Sequence, residues 1–221
     1  ANAMDEKTKL IFIANPNNPT GTYVSKNELD EFLGMIPDDV LVVLDEAYFE
    51  YVTAEDYPDG MEYFSKRDRL MVTRTFSKCY GLAGLRIGYG IGDPKLVDYI
   101  NRGREPFNTN SLAQIGALAA LEDIEHIERS KKVNRQEMER IIPKLERMGI
   151  GVTPSQTNFI LVDFHRDSTE IFQKLLKLGV IIRPMGGYGL PTSARITIGT
   201  EEQNEKLLSV FPDALGTEAL G

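Results

Sequence analysis

Leu10-Ile11-Phe12-Ile13-Ala14-Asn15-Pro16-Asn17-Asn18-Pro19-Thr20-Gly21 runs from a solid apolar segment straight into a Pro/Asn/Gly cluster. An apolar run without alternation is the pattern of a strand buried on both faces, and such strands belong to parallel sheets. Downstream, Ser25-Lys26-Asn27-Glu28 has capping-box spacing, and Leu29, Phe32, Leu33 and Ile36 follow at helical intervals, which predicts a helix over 25–36. Val40-Leu41-Val42-Val43-Leu44 is a second solid run, closed by an acid, Asp45. Strand, loop, helix and strand therefore follow in βαβ order, and the fold class is α/β.

Further strands are expected at Leu70–Thr73 and Arg86–Gly90. From Pro94 the pattern turns helical. Ser111-Leu112-Ala113-Gln114 reads as another capping box, and a long polar helix is expected from Ile124 to Met148, with Gly149 and Gly151 ending it. Pro143 removes a backbone donor and clashes with the preceding turn, so it should kink that helix or mark its restart. A smaller unit follows: strand 159–164, helix 169–178 closed by Gly179, strands 180–182 and 194–198, and a helix opened by Thr200-Glu201-Glu202-Gln203. The expected boundary lies near Ile150, dividing the chain into 1–149 and a small α/β domain at 150–221.

Composition narrows the function classes. A chain of 221 residues can bury a core without disulfides or metals, and 42% hydrophobic with 26% charged residues is ordinary for a globular protein. The net charge of −8, with Lys and Arg scattered among the acids, argues against nucleic acid, which needs a concentrated basic face. A lone cysteine, Cys79, excludes an intrachain disulfide framework and suits a reducing compartment, so cytoplasm is expected. No apolar run reaches bilayer-spanning length and the start lacks a basic-then-apolar layout, so neither membrane nor export signal is expected.

Three groups of residues suggest chemistry. Asp45 ends a buried strand, where an open α/β sheet presents its ligand crevice, and Tyr48 lies three residues on. An isolated acid in that position is usually a turn or cap residue, so the neighbours decide. Lys78 is flanked by Thr75 and Ser77 and followed by Arg86, and hydroxyls with a guanidinium make a cup for a phosphate dianion, leaving the lysine free for covalent work. The third group is the 15–21 loop itself.

Together, the Asn15-to-Gly21 string, Asp45, Tyr48 and Lys78 resemble the fold-type I pyridoxal-phosphate (PLP) enzymes, specifically the aminotransferases, over essentially the whole sequence. The strings 11–21, Pro106-Phe107-Asn108-Thr109-Asn110-Ser111 and Arg195-Ile196-Thr197-Ile198-Gly199-Thr200 most resemble histidinol-phosphate aminotransferases. Threonine-phosphate decarboxylases, aromatic aminotransferases and a non-catalytic PLP-sensing module share enough of the scaffold to stay open.

The resemblance implies part of a mostly parallel large-domain sheet flanked by helices, plus a smaller C-terminal α/β domain. It implies that Lys78 bonds to PLP and later moves the substrate Cα proton, that Asp45 pairs with the pyridine nitrogen, and that Asn18 and Tyr48 hydrogen-bond the phenolic oxygen. Thr75, Ser77 and Arg86 would anchor the phosphate, Arg195 would grip the substrate's acidic group beside Asn158, and Arg183 is a second candidate for that anion. His126 and His165 receive no role. A small-molecule amino donor, a 2-oxo acid and a homodimer are the implied partners. The family's N-terminal phosphate loop, its ring-stacking aromatic and a residue reaching across the dimer have no counterpart in this sequence.

Overall fold

A computed structural model describes residues 3–216. The chain divides into two compact units, Ala1–Asn17 with Tyr23–Glu128, and Asn18–Thr22 with Arg129–Gly221.

The first unit is built on a four-stranded sheet in the order β1 (Leu10–Ala14), β2 (Leu41–Asp45), β3 (Leu70–Thr75), β4 (Gly88–Gly92). β1, β2 and β3 are parallel and β4 is antiparallel to β3. Helix α1 (Lys26–Gly34) makes the first crossover, and its capping box forms as the sequence predicts, with Ser25 and Glu28 exchanging side chain-to-backbone bonds. Leu29 of α1 packs with Val42, Leu44, Leu70, Val72 and Tyr63 in one buried cluster. Each such side chain contributes on the order of 1.5–3 kcal/mol by leaving water.

Only part of the expected double burial is realised. β2 is buried through Val42, Val43 and Leu44, whereas β1 lies at the sheet edge with Phe12 70% exposed. Ile11 and Ile13 pack against the buried cluster, while Phe12 on the opposite face of the edge strand stays exposed. The strand expected at Arg86–Gly90 starts later, at Gly88, because Arg86 adopts a left-handed conformation, φ 56°, that cannot enter a ladder. Helices α2 (Pro94–Gly103) and α3 (Ser111–Glu122) follow. The N-cap of α3 is Asn110, whose side chain accepts from the Ala113 amide, so Ser111 is the first helical residue and the capping box expected from Ser111 to Gln114 does not form.

Helix α4 (Ile124–Arg147) continues through Pro143 without a restart. It ends in a paired closure: the Gly149 amide donates to the Glu146 carbonyl and that of Ile150 to Leu145, with Gly149 at φ 77°. The second unit carries an antiparallel sheet in the order β5 (Gly151–Thr153), β6 (Phe159–Asp163), β8 (Leu190–Thr197), β7 (Arg183–Met185), with α5 (Ser168–Lys177) and α6 (Glu201–Leu215). The strand expected at 180–182 is absent. Gly179 and Val180 close α5 as Gly149 and Ile150 close α4, so the Val180 amide is spent on the Leu175 carbonyl and the ladder begins only at Arg183. Phe211, Ile160, Ile171, Leu175 and Ile141 centre the core of this unit.

Candidate functional site

The parallel strands of the first unit end on one side at Asp45 and at the loop after Thr75, where the βαβ order places a ligand crevice. A cavity of about 540 Å³ opens there, lined by Asp45, Thr73, Thr75, Ser77, Lys78 and Arg86 together with the glycines of β4. Strand alternation explains the choice of side chains: Asp45 and Thr73 are register partners and share one face, and Thr75 is two residues further along the same face. The Asp45 carboxylate accepts from the Ala47 amide at 3.2 Å and lies 3.4 Å from the Thr73 hydroxyl.

Lys78 sits in the turn that follows β3. The Thr75 hydroxyl accepts from the Ser77 amide at 3.1 Å, and the Gly81 amide donates to the Lys78 carbonyl. Arg86 donates through Nη1 to the Ala83 carbonyl at 2.9 Å and lies 3.3 Å from the Ser77 hydroxyl. A bulky residue held at positive φ persists only where its surroundings over-determine it, and here the strained backbone aims a guanidinium at the hydroxyl cup. Gly88 on the facing strand has no room for a side chain, since a Cβ there would meet the Arg74 carbonyl at 2.8 Å. Tyr48 is buried, with its ring centroid 5.2 Å from Lys78 Nζ.

The wall therefore has two chemical ends, a carboxylate at one and hydroxyls with cationic nitrogens at the other. That donor set fits PLP: Asp45 suits a protonated pyridine nitrogen, Thr75, Ser77 and Arg86 suit a phosphate dianion, and Lys78 suits the aldehyde.

The remaining predicted residues belong to the second unit. Asn18 accepts through Oδ1 from Arg195 Nη1 at 2.6 Å, and Asn158 gives its carbonyl to the Ile198 amide. The Arg195 guanidinium lies 4.9 Å from the centroid of the Phe159 ring, and its Nε is buried with no partner among the described residues. Arg183 is exposed and stands directly opposite Arg195 in the β7–β8 ladder.

Two features escaped the sequence reading. His126, expected at the surface, is half-buried, and its Nε2 lies 3.0 Å from the carbonyl of Cys79, the residue after Lys78, so it braces the lysine turn. Behind the cavity wall lies a buried ion pair. Glu46 Oε2 accepts from Arg74 Nε at 2.9 Å and lies 2.8 Å from Nη2, while Oε1 accepts the Gly60 amide at 2.7 Å. Arg74 also reaches Asp59 at 2.9 Å and stacks 3.6 Å over the centroid of the Phe49 ring. Burial holds the Glu46 carboxyl above its ordinary range, and Arg74 and the Gly60 amide offset only part of that rise. Burial likewise opposes the Arg74 charge, but Glu46 and Asp59 outweigh it and hold the guanidinium protonated. A guanidinium on one oxygen and a backbone amide on the other make the environment of an ionised carboxylate, so the pair is charged. Alternation along β2 could have placed Glu46 on the face opposite Asp45, but its partner follows only from the strand register.

No helix among the described residues is long and apolar enough to cross a membrane, and no cluster of His, Cys, Asp and Glu could hold a metal ion. The aminotransferase class I and II family matches residues 1–211. A histidinol-phosphate aminotransferase of Bacillus subtilis is 51% identical over 96% of this chain and 59% of its own length. One of Nitrosococcus oceani is 49% identical over 96% of this chain and 58% of its own. A solved structure of histidinol-phosphate aminotransferase from Sinorhizobium meliloti in complex with pyridoxal-5'-phosphate superposes with a TM-score of 0.87 at 30% identity, covering 94% of this chain and 57% of that one. The chain thus spans under two thirds of the length of these relatives.

Proposed function

Because the chain belongs to the class I and II aminotransferase family and has the fold of the PLP-dependent fold-type I enzymes, we propose that it carries the cofactor-binding residues of a PLP-dependent aminotransferase. The observation that carries this reading is the single cavity in which Lys78 and Asp45 stand with Thr75, Ser77 and Arg86. The proposed reaction transfers the amino group of L-histidinol phosphate to 2-oxoglutarate, giving imidazole-acetol phosphate and L-glutamate, a step of histidine biosynthesis. The names of the relatives at 49–51% identity support histidinol phosphate as the amino donor.

Pyridoxal phosphate, when bound, supplies an electron-withdrawing ring that takes up the electron pair left when a proton leaves the substrate Cα. Lys78 would hold the cofactor's aldehyde end through Nζ, and the same nitrogen, when free, would serve as the base for the substrate Cα proton. Asp45 holds a proton at the ring nitrogen, so the ring stays electron-poor. Thr75, Ser77 and Arg86 orient the group by its phosphate, and Tyr48 with Asn18 hydrogen-bonds its phenolic oxygen. Arg195, with Asn158 and the outer Arg183, binds the anionic end of the substrate, since a guanidinium fork suits phosphate and carboxylate alike.

In this reading 1–149 carries the cofactor residues and 150–221 is the small domain. The working assembly is a cytoplasmic homodimer. The apolar stripe Leu112, Ile115, Leu118 and Leu121, exposed along α3, supports a further covering surface in the assembled protein.

The test is a coupled assay for glutamate formed from histidinol phosphate and 2-oxoglutarate. Turnover that disappears in Lys78→Ala is the expected result. Turnover with an aromatic amino acid but not with histidinol phosphate would replace the substrate assignment while leaving the reaction class in place.

A further inference from the structure

Arg74 lies on β3 between Thr73 and Thr75 and borders the cavity, and by strand alternation its side chain leaves the face those two threonines present. On that hidden side it is only 13% exposed and Glu46 only 2%. Each of its two inner partners adjoins, in the chain, a residue of the site. Glu46 follows Asp45, and Phe49, whose ring lies under the guanidinium, follows Tyr48. Asp59 and the Gly60 amide tie the far end of the 46–60 segment to the same pair.

We propose that Arg74 is a positioning residue for the cofactor: by gripping Glu46 and Phe49 together, it sets the spacing of Asp45, Tyr48 and the β3 threonines in front of it. The inference rests on reading the cavity as a pyridoxal-phosphate site. One planar group pairs with Glu46 Oε2 and with Asp59 along its edge and stacks on Phe49 across its face at the same time. A lysine can neutralise Glu46 but cannot hold both contacts, and an apolar pair fills the space without orienting the chain. A buried ion pair is a weak source of stability compared with an apolar pair of the same volume, so its presence directly behind the site is better explained by orientation than by folding energy.

The experiment uses the full chain loaded with pyridoxal phosphate and compares wild type, K78A, R74K, F49L and the double variant R74M/E46L. The double variant removes both buried charges together, so neither charge is left facing an apolar side chain, and the groups it frees are the Gly60 amide and the partly exposed Asp59. Three quantities are read: the melting temperature, the dissociation constant of the cofactor, and the pH midpoint of the Lys78-dependent absorption band. The expected result is that R74M/E46L still unfolds cooperatively, with a melting temperature lowered only by the loss of the Gly60 contact, yet binds the cofactor about tenfold more weakly, the size found when a residue behind a ligating side chain is lost. Its pH midpoint should move by about one unit, because Asp45 no longer stands at its set distance from the ring. R74K and F49L should move the midpoint the same way by less. Folded variants that keep the wild-type midpoint and affinity would overturn the proposal and leave Arg74 with a structural role alone. A wild type with no Lys78-dependent band would instead overturn the reading of the site, and this inference with it.

Discussion

Arg183 and Arg195 are direct cross-strand partners in the β7–β8 ladder. Directly opposite residues of an antiparallel pair project on one face, where two like charges repel each other. Arg195 is partly relieved by Asn18 Oδ1 and by the Phe159 ring, yet its buried Nε remains unpartnered among the described residues. An arrangement that is unfavourable when empty becomes favourable once an anion bridges it.

Arg195→Ala is therefore expected to weaken binding of histidinol phosphate by about 10–100-fold, corresponding to a charge-assisted contact of roughly 1.5–3 kcal/mol. Arg183→Ala, at an exposed position, should weaken it by less than about tenfold. Titration calorimetry at two salt concentrations checks both, with wild-type affinity more salt-dependent than that of Arg195→Ala. Equal affinity in Arg195→Ala and wild type would remove Arg195 from substrate binding.

Glu137 of α4 gives the second unit a pH dependence. Its carboxylate pairs with Arg140 at 2.7 Å and accepts from Asn204 Nδ2 at 2.7 Å, and Asn204 in turn holds the Gly199 amide after β8. The Arg140 hydrogen bond, with Asn204 and against the effect of burial, holds the carboxyl below its ordinary 4.5. A depressed folded-state value means that the stabilisation is fully present above the unfolded-state value and is lost as pH falls through the folded one. The melting-temperature gap between wild type and Glu137→Gln should thus be widest near neutrality and shrink below about pH 4. A gap that does not change between pH 7 and pH 3 would contradict the assignment.

Pro143 lies in the interior of α4 and is exposed, so the carbonyl one turn earlier lacks its helical donor. Pro143→Ala restores that bond and removes the ring clash. It should raise stability by about 1–3 kcal/mol, less the entropy that proline removes from the unfolded chain. Urea denaturation of the two proteins decides the matter; a loss of stability in Pro143→Ala would mean that the helix is adapted to the proline.

Pro143 also illustrates what could be read in advance. The βαβ opening was legible because apolar runs, the Ser25 capping box and the closing Asp45 are all local patterns. The residues from Thr75 to Arg86 were legible as one group because they reach the cavity from one short segment between β3 and β4. The antiparallel direction of β4 was not, because parallel and antiparallel strands can show the same apolar pattern. The strand expected at 180–182 failed because the closure of α5 uses the Val180 amide, a competition the apolar pattern of Val180-Ile181-Ile182 does not register. Arg74 and Glu46 drew no role because a contact between residues 28 apart arises from the β2–β3 register and not from spacing along the chain.

Absorbance spectroscopy of the purified chain titrated with pyridoxal phosphate, beside Lys78→Ala, bears on the whole account. A pH-sensitive band that forms with wild type, is absent from Lys78→Ala and is bleached by histidinol phosphate is the expected result. A band of equal strength in Lys78→Ala, or none in either protein, would contradict the assignment of Lys78 as the cofactor's tether.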